Sequence, residues 1–506
     1  MTPNRSRALV LILLLATAPG IRAQYVPPIS SAPGPGVIDS ALRAAEPALS
    51  PWDFGINERL RGEDKLGAGT THAGSNYDFS AAPPSENNND YWLSRLMPRV
   101  GYTIDWFSAV VEARSSYSFG DNRYNAMAAG DGLTDNNGSF QLELAYFTLG
   151  NLKAFPVTVK VGRQELNYGD QRLVGSAPWL NVPHTFDAVK VRYQDSLFGV
   201  DLFAANLVYD SADHFDKSHS QDTLSGAYFD FPAVARDAVT EAYLFARNVA
   251  RGIVTEDWSS VPAPFRFPAP QDIYTLGFRS KTKPGAPGPW DYGVEAIGQF
   301  GDRTAVFPAT TVAAALAAPR LKQEAWAFVV QGGYAWKGLP GSPRLAAIVS
   351  CASGDHNAAD GQSETFQNLI PSNHGLYGAM DLSGLQNIED YRLSATIKPM
   401  AGMSLALDLH QQFLETTKDY WYNVASVPRN TPGAASGSGR GFGINPTYSS
   451  DLGREADLIG GWTPARGLLL EIGLGHFFRG SYVKESFSAI GSKDTVYAYA
   501  QATLNL

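Results

Sequence analysis

The chain has 506 residues and a formal charge of −9, and 18% of its residues are charged while 12% are aromatic. The acidic balance argues against a nucleic-acid binder, because that function needs a basic face. The chain has one cysteine, Cys351, so it cannot form an intramolecular disulfide. The charged fraction is below the roughly 25% typical of soluble domains, which favours a protein with much apolar surface.

The chain begins with the pattern of a secretory signal peptide. Arg5 and Arg7 precede an apolar run over 8–18, and small residues follow up to Ala23. The run is shorter than the roughly 20 apolar residues that a membrane-spanning helix needs. We therefore predict a signal peptide at 1–23.

A Pro- and Ala-rich segment at 24–51 follows, with one helical turn expected around Ile38–Ala45. From Trp52 onward, apolar and polar residues alternate with period two between turns rich in Gly, Pro, Asn and Asp. Such alternation is typical of strands with two different faces. We predict that the strands continue over 52–506.

Separating the two faces of each run gives one apolar and one polar side. In the run over 391–399, Tyr391, Leu393 and Ile397 alternate with polar residues, and in the run over 403–413 the apolar side contains Leu407. The charged residues predicted to line the polar side are Arg59, Arg61, Arg99, Glu112, Arg114, Lys160, Lys190, Arg192, Arg392, Lys398 and Asp408.

A soluble β-sandwich would also alternate, but several features favour a transmembrane barrel. Many runs have the 9–11 residues that cross a bilayer at a tilt, and nearly every polar face carries charge. Beyond the signal peptide there is no 18-residue apolar run, so only a closed sheet could span a membrane. Aromatic residues also cluster near the ends of runs, as an interfacial girdle requires: Tyr91, Trp92, Trp106, Tyr117, Tyr334, Trp336, Tyr420, Trp421 and Tyr422.

Three ordered motifs resemble the alginate-export family of outer-membrane barrels. They are "GRQELNYGDQRLVGS…W…TFDAVKVRY" from Gly162, "CASGDHNAADGQSETFQNLIPSNHGLYGAMDLSGLQ" from Cys351, and "LGREADLIGGWTPARGLLLEIGLGHFFRGSY" from Leu452. The motif residues are Gly162, Arg163, Gln164, Gly169, Asp170, Arg172, Phe186, Asp187, Ser353, Gly354, Asp355 and His374.

The resemblance implies an all-β antiparallel barrel of about 18 strands, with the 24–51 segment in the periplasm. The Gly-rich middle of the first motif is then expected to be a rim or turn between two strands. Arg163 shares its parity with Val161 and should point outward, unless a bulge at Gly162 re-aims it.

The sequence also contains two candidate chemical sites. The loop "SGDHNAADG" at 353–361 spaces Asp355 and Asp360 as in a calcium loop, but it lacks the closing Glu of that motif, so a solvated loop is favoured. His374 could pair with Ser372 in a hydrolase, although a hydrogen-bonded structural histidine is the commoner case. No cofactor is expected.

The resemblance implies a channel for export or diffusion in the outer membrane. Its partners would be outer-membrane lipid, an anionic oligo- or polysaccharide such as alginate or small anions, and, for an exporter, periplasmic export components. An outer-membrane enzyme acting on surface polysaccharide or lipid is the alternative, and an adhesive or structural barrel is a third possibility.

Overall fold

A computed structural model describes residues 36–67, 79–81, 88–121, 140–209, 215–255, 270–304, 312–429 and 437–506. The predicted signal peptide lies outside these ranges. No helix within them is long and apolar enough to cross a membrane.

The described residues form 19 strands and three short α-helices. The helices are α1 (Val37–Ala45), α2 (Val312–Ala317) and α3 (Ser481–Ser486). The strands are β1 (Trp52–Leu66), β2 (Asn88–Ile104), β3 (Phe107–Phe119), β4 (Gln141–Leu149), β5 (Val157–Gln164), β6 (Phe186–Gln194), β7 (Gly199–Tyr209), β8 (Lys217–Asp230), β9 (Ala238–Val249), β10 (Gln271–Thr282), β11 (Trp290–Thr304), β12 (Arg320–Ala335), β13 (Arg344–Ala352), β14 (Gln362–Ser363), β15 (Ile388–Ile397), β16 (Met403–Phe413), β17 (Asp451–Ala465), β18 (Leu468–Arg479) and β19 (Thr495–Asn505).

Eighteen of these strands close into one antiparallel barrel, which confirms the predicted fold class. Each strand pairs with its neighbours in the chain, and β1 closes the ring by pairing with β19, from Asn57 opposite Asn505 to Leu66 opposite Val496. The remaining strand, β14, has two residues and lies parallel to β12 inside a loop. Among the 18 described barrel strands, closure leaves no open sheet edge.

The two faces of the wall separate as the alternation predicts. Leu407 and Leu393 are exposed on the outside, at 42% and 61%, whereas His410 and Asp390 are buried inside the ring. Trp92, Trp106, Tyr117 and Trp336 are exposed near strand ends and belong to an outer aromatic girdle. The girdle assignment is wrong for three aromatic residues, because they are buried in the interior: Tyr91, Trp421 and Tyr422.

The two ends of the barrel differ. At the turn end, where β1 begins and β19 ends, connections are short: β17 and β18 are joined by Arg466 and Gly467 alone. Gly467 has φ +83°, a left-handed conformation that suits glycine. At the loop end the connections are long, including 165–185 and 353–387.

Helix α1 is attached to the turn end. The buried Asp39 carboxylate accepts a hydrogen bond from the Phe54 N–H at 3.4 Å and pairs with Arg43 at 2.8 Å. Arg466 donates to the Ser40 hydroxyl at 2.7 Å. The predicted helical turn at 38–45 is therefore a short helix that is fixed beside the β1–β19 seam.

Candidate functional site

Two loops from nearly opposite parts of the wall meet inside the barrel. The 165–185 loop follows β5, and the 353–387 loop follows β13. Val174 and Ile370 form a parallel bridge, with Gly175 N–H donating to the Ile370 carbonyl at 2.9 Å and Ser372 N–H to the Gln171 carbonyl at 2.8 Å. The expectation of a rim or turn at 165–185 is therefore wrong, because this segment folds inward and crosses the lumen.

Three inward arginines from β1 and β2 hold the 165–185 loop, and we call Arg59, Arg61 and Arg95 the arginine clamp. Arg59 donates to the carbonyls of Pro178 and Trp179 at 2.9 and 3.0 Å. Arg95 donates to Pro178 at 3.0 Å, and Arg61 to Trp179 at 2.8 Å. The guanidinium fork offers several donors at once, which suits adjacent carbonyls. All three arginines are at least nine-tenths buried.

The same loop is held on another side by a carboxylate. Asp170 pairs with Arg279 at 2.7 Å and with Lys281 at 2.8 Å, both from β10. Burial alone would raise the pKa of Asp170, but Arg279, Lys281 and Arg172 outweigh burial and hold the pKa below its ordinary value. The carboxylate is therefore ionised, and it fixes the loop to the wall by charge-assisted hydrogen bonds.

Arg172 links both loops to the wall. Its guanidinium pairs with Glu295 of β11 at 3.2 Å and donates to the Tyr377 hydroxyl in the 353–387 loop at 3.1 Å. Glu295 also accepts from Tyr243 at 2.8 Å. Arg247 of β9 donates to the Leu369 carbonyl at 2.9 Å, so the second loop has its own support.

Acids and amides on β16 and β17 bind the 353–387 loop. Glu455 accepts from the Met380 N–H at 2.8 Å, and Asp457 from the Ala379 N–H at 3.1 Å. Gln412 donates to the Tyr377 carbonyl at 2.7 Å. Inward polar residues on this wall therefore position loop backbone.

His374 connects the two loops. Its ring stacks on Trp179 with centroids 3.7 Å apart and an interplanar angle of 2°, and its Nδ1 lies 2.9 Å from Asp381. The Arg61 guanidinium lies 3.8 Å from the centre of the Trp179 ring. The contacts of His374 are therefore with the Asp381 carboxylate and the Trp179 indole. Within the described part of the chain, His374 does not pair with Ser372.

A different set of cations remains accessible beside the crossing loops. We call Lys160, Lys190 and Arg192, from β5 and β6, the basic row. Lys160 stands directly opposite Lys190 in the register and lies 3.6 Å from the centre of the Tyr146 ring. Lys190 and Arg192 share Asp201 at 3.3 Å each, and their side chains keep 25% and 22% exposure, against 3% for Arg61.

The remaining interior residues predicted from sequence lie in separate places. Arg99 pairs with Asp53 at 2.7 Å near the turn end, and the buried Glu112 faces Arg99 across β2 and β3. Arg114 is buried towards the loop end between Glu143 and Asp216, at 2.7 and 2.9 Å.

On the opposite wall, Arg392 donates to the Gly375 carbonyl at 3.0 Å and lies 3.9 Å from Asp408. The prediction for Lys398 is wrong, because this residue is exposed in the turn after β15 and is not part of the inner wall.

Arg163 is fixed at the loop end of β5. It pairs with both oxygens of Asp187, at 2.8 and 3.1 Å, and donates to the carbonyls of Leu142 and Asp216. The preceding Gly162 has φ +118°, and a Cβ there would collide with the carbonyl of Ala145. Arg163 keeps its register opposite Asp187 and is buried by these contacts.

The 353–361 segment uses its polar side chains to shape a turn. Ser353 donates to the Glu364 carbonyl at 2.7 Å, and Gly354 N–H donates to Glu415 at 3.1 Å. Asp355 and Asp360 each accept a backbone N–H two residues ahead, at 2.9 Å. Within the described ranges, no group of three or more His, Cys, Asp or Glu side chains is arranged to hold a metal ion.

Sequence reasoning missed Arg95, Trp179 and Glu295. Arg95 shares the parity of Arg99, so the alternation could have identified it as inward. Trp179 and Glu295 act through contacts with residues more than 100 positions away, such as Arg61 and Arg172. The spacing of residues near Trp179 or Glu295 in the sequence does not predict these distant contacts.

This closed barrel, with its apolar outer face, inner polar face and inward loops, defines an outer-membrane channel. Comparison with solved structures supports the fold. The chain is similar to Pseudomonas aeruginosa OpdK crystallised with vanillate, at 11% identity and a TM-score of 0.51, with 90% of this chain and 98% of OpdK covered. It is also similar to Acinetobacter baumannii OccAB3, at 9% identity and a TM-score of 0.52, with 90% and 99% covered.

The family model for alginate export matches residues 68–496, so the chain belongs to the alginate export family. A comparison with curated proteins finds no match. The predicted family and the predicted location in the outer membrane are confirmed. Because outer-membrane barrels carry short periplasmic turns and longer extracellular loops, the turn end faces the periplasm.

Proposed function

We propose that this protein is an outer-membrane channel for small anionic solutes. The observation that carries the proposal is the basic row beside the crossing of the two loops. Lys160, Lys190 and Arg192 are the cations that stay partly exposed on one stretch of inner wall, and a row of separated cations can attract an anion without binding it tightly.

The acids beside the basic row fit such a path. Asp201 lies between Lys190 and Arg192, and Asp230 lies 2.6 Å from Arg192. Lys190 and Arg192 are therefore partly compensated, so an anion gains modest attraction at each of them and can move on. The OpdK neighbour, crystallised with vanillate, shares the fold and is consistent with a small solute.

The crossing loops favour small solutes over a polysaccharide chain. The 165–185 and 353–387 loops are bonded to each other and to β1, β2, β9, β10, β11, β16 and β17. A polymer would have to pass beside a crossing that is held by ion pairs and hydrogen bonds around much of the ring. The enzyme alternative gains no support from His374, whose described partners are Asp381 and Trp179.

Uptake into proteoliposomes tests the proposal. We expect faster entry of a small aromatic carboxylate than of its uncharged amide, and no entry of long uronic-acid chains. The Lys190→Gln/Arg192→Gln variant should lose the preference for the carboxylate while retaining uptake of the amide. Equal entry of acid and amide into wild-type vesicles would reject the anionic solute, and rapid entry of long uronate chains would restore the polymer alternative.

A further inference from the structure

A groove of about 560 Å³ opens on the outer face of β10, β11 and β12, towards the extracellular end. Its floor is Gly298, where an added Cβ would meet nothing within 4 Å. Leu276 and Phe300 flank it, with exposures of 59% and 53%, and Trp326 pairs with Gly298 on the neighbouring strand. The absent side chain therefore leaves a slot in an otherwise bulky apolar surface.

The roof of the groove is charged. Lys322 stands opposite Asp302 in the register, and Glu324 stands opposite Phe300. All three charged side chains are exposed on the outer face, and they make no ion pair with any described residue. Tyr274 stacks on Phe300 at 5.5 Å, which places the aromatic boundary of the membrane at the level of Glu324, between the slot at Gly298 and the charges of Lys322 and Asp302.

We propose that this groove binds one phosphorylated glycolipid of the outer leaflet. The slot lies below the aromatic boundary, where the surrounding medium is acyl chain, so an acyl chain fills it. Lys322 lies above the boundary and can donate to a phosphate oxygen. One lipid can therefore satisfy the apolar and the cationic part of the groove together.

The position of Glu324 favours a glycolipid over a glycerophospholipid as the bound lipid. It lies two residues deeper than Lys322 on the same face of β12, at the level of Phe300, where it needs a hydrogen-bond donor. The ester linkages of a glycerophospholipid carry no donor at this depth. Amide-linked and hydroxylated acyl chains on a sugar carry N–H and O–H groups just below the phosphate, and so they fit Glu324.

Binding to the purified protein in detergent, followed by native mass spectrometry, tests the assignment with diphosphoryl lipid A as the probe. The wild type should retain one lipid and should bind dephosphorylated lipid A and phosphatidylethanolamine more weakly. Lys322→Ala removes the cationic partner of the phosphate, so it should weaken binding about tenfold. Gly298→Leu should fill the slot and abolish retention.

Two matched variants control for general changes of the outer face. Ala204→Leu places the same leucine side chain on the outer face of β7, and Arg454→Ala removes an exposed outward cation on β17; both should bind like wild type. Equal binding of phosphorylated and dephosphorylated lipid A, or wild-type affinity in Lys322→Ala, would overturn the proposal. If Gly298→Leu does not assemble, these two comparisons still decide it.

Discussion

The arginine clamp and the basic row begin from the same sequence signal and end in different roles. Both are sets of basic residues at inward positions of neighbouring strands. Arg59, Arg61 and Arg95 are buried against carbonyls of the 165–185 loop, whereas Lys190 and Arg192 keep about a quarter of their surface exposed beside Asp201. An inward cation therefore lines a solute path only where no loop folds over it.

Breaking the clamp should give the largest effect. Arg59→Ala with Arg95→Ala removes hydrogen bonds from charged donors, each contributing about 1.5–3 kcal/mol. The Pro178 carbonyl then loses both of its charged donors, and the Trp179 carbonyl keeps only Arg61. The 165–185 loop should then leave its position, and single-channel conductance in planar bilayers should become larger and noisier.

The matched control for the clamp is Arg99→Ala, because Arg99 pairs with Asp53 near the turn end and touches neither loop. Its conductance should stay close to wild type. Unchanged conductance in the Arg59/Arg95 variant would mean that other contacts hold the loop, and that the clamp is redundant.

Both regions depend on the same assignment of inside and outside. Leu407→Arg puts a charge on the lipid face of β16, where such a residue costs about 2–4 kcal/mol at mid-depth. We expect less heat-modifiable protein in the outer membrane for this variant. Thr396→Arg, at an inward position of the paired strand β15, should assemble like wild type, and reversed outcomes would shift the register by one residue.

Replacing Lys160 should change the anion preference by a smaller amount, and it tests how much a single cation of the basic row contributes. Lys160 contacts the Tyr146 ring and forms no ion pair with Asp201 or Asp230, so Lys160→Gln removes one cation and leaves the ion pairs of Lys190 and Arg192 in place. The anion preference should fall modestly at low salt and hardly at high salt, because screening shortens the reach of the charge. A salt-independent loss would point to a structural change instead.

The barrel could be predicted because its wall follows a local rule. In β16, the alternation of Leu405, Leu407 and Leu409 with Asp408 and His410 fixes which side meets lipid, and the structure has the same faces. The helix at Val37–Ala45 was also visible as a short local pattern.

The interior could not be predicted in the same way. Arg59 and Trp179 are 120 positions apart, and the carbonyl of any residue could have accepted the hydrogen bond. The Gly-rich stretch after β5 has the composition of a turn, and composition does not distinguish a rim from a loop that folds inward. Position near a strand end also does not distinguish the girdle from the interior, because aromatic residues such as Tyr91 and Trp421 pack inside the barrel.

The reversal potential across a planar bilayer with a low-salt KCl gradient tests the central claim most directly. The wild-type channel should prefer anions, and Lys190→Gln/Arg192→Gln should lose most of that preference while its conductance stays similar. Arg61→Gln, which removes a clamp cation with 3% exposure, should change the preference less. A wild-type channel that prefers cations, or an anion preference that survives the Lys190/Arg192 substitutions, would contradict the assignment of the basic row as the solute path.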